Sequence, residues 1–431
     1  MHPYLSRVTG AFESESIAEL DRSLIACIIG SLVLRCAAGA MGLLVGIYLK
    51  HINDTLYPVS ATVLGLFTFG FFLTELFGSP ILGAWSDHWG RKRFIVIGPI
   101  LGFLAVQITA LTAVLPLLFL TRLLEGLSTA SSVPATLSYL SAATTASPSM
   151  RSRVISLFEI ATIAGMALGG VVGGKLWDRL GAHAFTGAGV VYLVSAAIFF
   201  WGMKRLGPGG GEKSGLSHYL SLFSNPKILH FAPAWLAINA ILGLWINHLP
   251  FQMSGVDTDL SQNLSGGFSG SAIGPILGGF ALLFAIGILA WGLVLGRMRR
   301  IDAMLLSLGG LLLTCLAAFG LNHATLDGYT ITGLLIGLLI LGILIESGFT
   351  PAALSYLADI SEDFTTDRGA IMGLYSVLLG FGQAIGVLAG GPFADRWHVD
   401  GIILLTAILG GISLITVLML RRTEQTNSSL F

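Results

Sequence analysis

Charge is what this sequence lacks most. Only 11% of its 431 residues are Asp, Glu, Lys or Arg, where a soluble chain carries about a quarter. That excludes an ordinary water-soluble domain. The few charges balance, 23 basic against 23 acidic, which excludes the basic surface expected of a nucleic-acid partner. Cysteine is scarce too. Cys27, Cys36 and Cys315 stand alone in apolar runs, so neither a disulfide framework nor a thiolate metal site is expected. There is no H-E-x-x-H, no G-x-S-x-G, no His or Cys cluster at ligand spacing and no ATP-binding loop. An enzyme, a metal and a cofactor are therefore not expected. The first 22 residues carry Glu13, Glu15, Glu19 and Asp21, the wrong sign for a secretory signal. They read as a short cytoplasmic segment before a retained first membrane helix.

What is abundant is apolar. Hydrophobic residues make up 54% of the chain, with 56 glycines among the rest. Crossing the hydrocarbon core as a helix takes about 20 apolar residues. Twelve such segments are predicted, centred near residues 37, 70, 104, 130, 164, 193, 240, 284, 311, 343, 381 and 409. The runs are continuous rather than alternating, which argues against strands. With both termini in the cytoplasm, 17 of the 23 basic residues fall inside. Lys50, Lys175, Arg179 and Arg396 fall outside, and Arg35 and Arg122 lie within helices. Basic loops stay on the cytoplasmic side, so this topology is expected over its inverse.

The chain also repeats itself. A shift of 217 lays Pro134–Leu140 on Pro351–Leu357, Arg151 on Arg368 and Asp178-Arg179 on Asp395-Arg396. Between these anchors Gly165, Gly169, Gly173 and Gly174 fall on Gly382, Gly386, Gly390 and Gly391, and 15 of 46 positions are identical without a gap. A period of half the chain implies one unit duplicated and fused. The expected division is a six-helix bundle over 23–203, a cytoplasmic linker over 204–227, a second bundle over 228–420 and a tail over 421–431. The linker contains the Gly- and charge-rich Lys204–Gly215. A short amphipathic surface helix is expected at Leu216–Phe223. The polar outer loop Ser254–Ser271 reads as mobile, and Asn53 and Asn263 match the glycosylation acceptor pattern.

Between the second and third segments stands GAWSDHWGRKR, Gly83–Arg93. Gly83 permits close helix contact, Gly90 turns the chain, and Asp87 can accept from helix-end amides or an arginine. This stretch resembles the G-x-x-x-D-x-x-G-R-[KR]-[KR] motif of the major facilitator superfamily. Every fixed position matches, and the twelve segments, duplication and central loop extend the resemblance over nearly the whole chain. It implies an all-α membrane protein of two six-helix bundles. It also implies a secondary transporter that opens alternately to each side, and a cytoplasmic latch built on Gly83, Asp87, Gly90 and Arg91. The second copy, Gly292–Asp302, keeps Arg297, Arg299 and Arg300 but lacks the aspartate. The plainer reading of these arginines is that they only set topology.

Arg122 opens an R-x-x-x-G pattern that resembles the superfamily's proton-coupling motif. A charge at the centre of a membrane helix costs about 2.5 to 3.5 kcal/mol on insertion scales, so Arg122 needs a partner or a wet cavity. Glu125, three residues on, can supply an intrahelical pair. Gly165–Gly174 resembles the antiporter motif of the same family, except that Gly170 replaces its proline. Small residues every fourth position also serve plain helix packing, at Gly165, Gly169, Gly173 and equally at Gly382, Gly386, Gly390.

Four acids lie within the segments: Glu75, Glu125, Glu159 and Glu346. An acid without a partner in lipid tends to hold a proton and can exchange it when access changes. Glu75 and Arg35 fall at similar depth, about 18 and 20 Å in, so an ion pair between them is expected. Glu159 lies nearer the inner surface. Glu346 has no basic residue within a turn. On the seventh segment Asn239, Trp245 and His248 offer polar and aromatic surface, or else helix-packing contacts.

These features predict a monomeric, multi-pass protein of the plasma membrane, surrounded by lipid, that carries a small organic solute coupled to protons. Export by antiport is the leading mode, and uptake of an anionic solute read by Arg35 and Arg122 is the alternative. A receptor or scaffold would need a larger soluble part than either predicted terminal segment.

Overall fold

A computed structural model of the chain describes residues 3–145, 148–206, 226–255, 261–324, 329–362 and 368–428. Most of the expected linker, the surface helix Leu216–Phe223, part of the outer loop and the extreme termini lie outside the described residues. So does the side chain of Arg368.

Twelve described α-helices follow in chain order: α1 (Pro3–Thr55), α2 (Ala61–Trp89), α3 (Arg91–Leu111), α4 (Leu115–Ala143), α5 (Pro148–Leu180) and α6 (Ala184–Gly202), then α7 (Pro226–Met253), α8 (Gly270–Val294), α9 (Arg300–His323), α10 (Tyr329–Glu346), α11 (Phe349–Glu362) and α12 (Arg368–Ser428). No strand occurs among the described residues. In lipid the backbone must bond within its own segment, and a continuous apolar run does that only as a helix. Internal prolines such as Pro80, Pro99 and Pro134 are accommodated.

The helices correspond to the twelve segments, with two departures. The tenth is split at Ser347-Gly348 into α10 and α11, and the eleventh and twelfth run together as α12, broken at His398 (φ 52°, ψ −128°). Nine described stretches are long and apolar enough to span a membrane. Two of them, Arg153–Gly202 with 50 residues and Val377–Thr423 with 47, are each long enough for two crossings. The helix missing from those nine is α4, whose Ser and Thr residues, together with Arg122 and Glu125, lower its hydropathy.

The chain forms two compact units, Met1–Met41 with Leu73–Gly211, and Gly42–Phe72 with Glu212–Phe431. In the first, the glycine ladder of α5 lies on α1. A Cβ on Gly165 would meet the Leu32 carbonyl, one on Gly169 the Cys36 carbonyl, and one on Gly173 would stand 3.0 Å from the Cα of Ala40. In the second, Gly382, Gly386 and Gly390 of α12 meet Leu236, Ala240 and Leu244 of α7 in the same four-residue rhythm. Contacts this close leave no room for a side chain, which is why both copies keep glycine.

The second unit's core is built around Phe231, Trp235, Met304 and Phe349. Its polar connections are well tied. Gly266 N–H donates to the Gln252 carbonyl at 2.7 Å, Phe268 N–H to Met253 at 3.0 Å and Asn263 N–H to Asn322 at 2.8 Å. The described part of the loop expected to be mobile is thus pinned by backbone bonds. The Asn263 side chain donates to the carbonyls of Leu321 and Ala324, so its amide is engaged in structure rather than offered to a glycan. Asn53 accepts from the Val59 amide at 2.9 Å and shapes the turn before α2.

Candidate functional site

In the first unit the intramembrane charges gather. Arg122 and Glu125, one turn apart on α4 and only 6% and 3% exposed, form a salt bridge through Nη1 and Oε2. This is the expected intrahelical pair. The other Glu125 oxygen is buried without a hydrogen-bond partner. Arg35 on α1 lies within electrostatic range of Glu75, Glu159 and the Tyr192 hydroxyl. Among the described residues no ion pair joins Arg35 to Glu75, so the expected contact is a through-space relationship rather than a bridge. Tyr192 on α6, itself buried, also senses Arg122 and Glu125. Nothing in the apolar run around Tyr192 distinguishes it from a packing residue.

The motif between α2 and α3 has a defined geometry. A Cβ on Gly83 would lie 3.2 Å from the Cβ of Pro134, so α2 and α4 pass closely there. Asp87 Oδ1 accepts from Arg91 Nε at 2.7 Å and from Ser138 Oγ at 2.7 Å. Gly90 has φ +101°, a conformation open to glycine and strained for other residues. Lys92 donates to the Met203 carbonyl and lies 5.6 Å from the centre of the Phe200 ring. Ser138 is a partner that the motif itself does not contain.

In the second unit, α7, α8, α9, α10, α11 and α12 line a cavity of about 560 Å³. Its walls include Asn239, Trp245 and Glu346. Asn239 donates to the Trp235 carbonyl at 2.8 Å, and the Trp245 indole donates to Thr406 Oγ1 at 2.8 Å. Glu346 is the last residue of α10, beside the break. That break is held by Trp291, whose indole N–H donates to the Leu344 carbonyl at 3.0 Å while its ring packs on Gly348. Glu346 Oε2 is buried with no hydrogen-bond partner. Thr314 faces the carboxyl from α9, but its hydroxyl is not in bonding geometry. A buried carboxylate oxygen left without a partner costs free energy that a packing residue would not.

His248 is not part of that wall. It is fully buried, and its Nε2 lies 2.8 Å from the Val387 carbonyl, tying α7 to α12. A Cβ on Gly390 would stand 2.9 Å from the same nitrogen. Of the two readings open in the sequence, this geometry is the helix-packing one. The structure therefore brings Asn239, Trp245 and Glu346 together, pairs Arg122 with Glu125, and sets Arg35 near Glu75. No group of three or more metal-ligating side chains occurs among the described residues.

The Major Facilitator Superfamily model matches residues 27–267 and 253–431. The chain belongs to that family. It is an integral, multi-pass membrane protein of that transporter superfamily. It is similar to multidrug resistance protein 1 of Bacillus subtilis (strain 168), 29% identical over 140 residues, covering 32% of this chain and 36% of that one. It is also similar to the arabinose-proton symporter of the same organism, 27% identical over 142 residues, or 32% of this chain and 30% of the relative. The matched segments thus span about a third of the length of these curated relatives. Among solved structures, the nucleoside transporter NupG superposes with a TM-score of 0.72 over 92% of this chain and 97% of its own, at 16% identity. At that identity the likeness speaks for the fold.

Proposed function

We propose that this protein is a proton-coupled antiporter that exports a small organic solute by alternating access. It would work as a monomer in the plasma membrane with both termini in the cytoplasm. The observation that carries the reading is Glu346, whose Oε2 lacks a partner on the wall of a cavity, beside a helix break. Such a carboxyl can take a proton when one side has access and release it to the other. The Arg122–Glu125 pair and the Asp87–Arg91–Ser138 cluster supply, in this reading, the positioning of charge and the latch. The similarity to a multidrug resistance protein supports export. Reconstitution tests it: a Glu346→Gln carrier should bind solute yet lose proton-driven transport, and unchanged proton-driven transport would remove Glu346 from the mechanism.

Proton-coupled uptake of an anionic solute is the second reading. Arg35 favours it, since no ion pair among the described residues neutralises its guanidinium, and so does the likeness to a proton symporter. Against it, the membrane charges around Arg35 and Arg122 include three acids, Glu75, Glu125 and Glu159, whose field opposes an anion. The sense of proton movement on solute addition separates the two modes.

A further inference from the structure

We infer that the cavity of the second unit binds a ring-bearing apolar molecule with a single positive charge, a protonated amine or quaternary centre, held by the free Oε2 of Glu346. The inference rests on the antiport reading for its purpose but on the cavity alone for its chemistry. The walls are almost entirely aliphatic and aromatic, with Phe268, Phe280, Phe284 and Phe349 adding to Trp245. Phe280 and Phe284 stand with ring centres 5.7 Å apart. An apolar body is favoured in such a space, and ring faces attract cations.

The polar inventory then narrows the ligand. Glu346 is the one charged residue lining the cavity from any of α7, α8, α9, α10, α11 or α12 among the described residues, and no Lys, Arg or His lines it. Cys315, a buried thiol on α9, is the other titratable group within electrostatic range. The Trp245 indole and the Asn239 amide already donate elsewhere. Thr314 and Thr332 line the space with hydroxyls that make no hydrogen bond. The protein thus offers one negative group, π faces and a few hydroxyls and amides, and withholds any cation. A ligand cation completes that set; an anion meets a bare carboxyl, and a neutral molecule leaves its charge uncompensated. The volume, about 560 Å³, is that of a site for a drug-sized molecule rather than an ion alone.

Tetraphenylphosphonium and tetraphenylborate, alike in shape and opposite in charge, test this on the full-length protein in detergent by equilibrium dialysis at pH 8. Tetraphenylphosphonium should bind, and tetraphenylborate should bind at least about 30-fold more weakly, the ratio expected for one charge-assisted contact of about 2 kcal/mol. Glu346→Gln should remove about the same factor for the cation. Leu339→Trp, which fills the cavity without changing its charge, should also abolish cation binding, and it keeps the test valid where Glu346→Gln fails to fold. Equal binding of the two probes, or cation binding unchanged in either variant, overturns the site. Glu346-dependent binding of the phosphonium without proton movement in liposomes keeps the site and removes the antiport reading. Proton-coupled transport of another solute, without such binding, does the reverse.

Discussion

Asp395 caps α2 through Thr62: its Oδ2 accepts the Thr62 amide at 3.0 Å and the Thr62 hydroxyl at 2.5 Å, while Oδ1 accepts the Ala61 amide at 2.5 Å. The first amides of a helix have no partner within it, and a carboxylate there meets both the free donors and the positive end of the helix dipole. Asp395 belongs to the Asp-Arg pair that closes the repeated stretch, 333 residues from Thr62 in sequence. Replacing it with Ala should cost about 1 to 2 kcal/mol. The expected result is a thermal unfolding midpoint lower by a few degrees in detergent, with Asp395→Asn losing less. An unchanged midpoint in both would mean the cap contributes nothing.

Arg122 and Glu125 should stand or fall together. Removing one member of a buried pair leaves a bare charge and costs about 3 to 5 kcal/mol. Arg122→Gln alone should therefore lower expression and thermal stability sharply. The double change to Gln at both positions should recover much of that loss. A double variant no more stable than the worse single one would contradict the pairing.

The glycine ladders give a sharper contrast. Gly386→Ala drives a methyl into the Ala240 carbonyl, and Gly169→Ala does the same to Cys36. Both should cripple folding, since the obstacle is backbone that cannot turn aside. Gly309→Ala on α9, where a Cβ meets nothing within 4 Å, should be neutral or stabilise by about 0.5 to 1 kcal/mol. Expression and thermal shift of the three variants side by side provide the check.

Asp87→Asn should weaken the bond from Arg91 while keeping an acceptor for Ser138, and Ser138→Ala should remove the second bond alone. On the latch reading, Asp87→Asn lowers the transport rate at least about tenfold, with solute affinity within a factor of about three. Ser138→Ala should cost about 1 kcal/mol, or roughly fivefold in rate. Equal loss of rate and affinity in both variants would indicate general destabilisation instead.

The helices and their duplication were legible because lipid leaves the backbone few choices, and a four-residue rhythm of glycine declares where another helix must pass. Arg122–Glu125 was legible for a similar reason, since a spacing of three places both side chains on one helix face. What local spacing could not convey was long-range partnership. Depth along two helices put Arg35 level with Glu75 but carried no information on their rotation about each axis, and the pair does not close. His248 has the same polar signature as a solute contact, and only the path of α12 gives it to the Val387 carbonyl. The cap by Asp395, the Ser138 bond to Asp87 and the pinned outer loop all join residues tens to hundreds of positions apart. The break after Glu346 was hidden because Ser347-Gly348 sits within an apolar run, and Trp291 on α8 supplies the support that makes it a break.

The most direct measurement is proton movement in proteoliposomes holding a pH dye, with solutes first selected by thermal-shift binding to the purified protein. Adding a bound solute outside should drive it inward and protons outward, so the interior turns alkaline, and Glu346→Gln should abolish the signal. An interior that acidifies on solute entry, or a signal that persists undiminished in Glu346→Gln, would contradict proton antiport through this carboxyl.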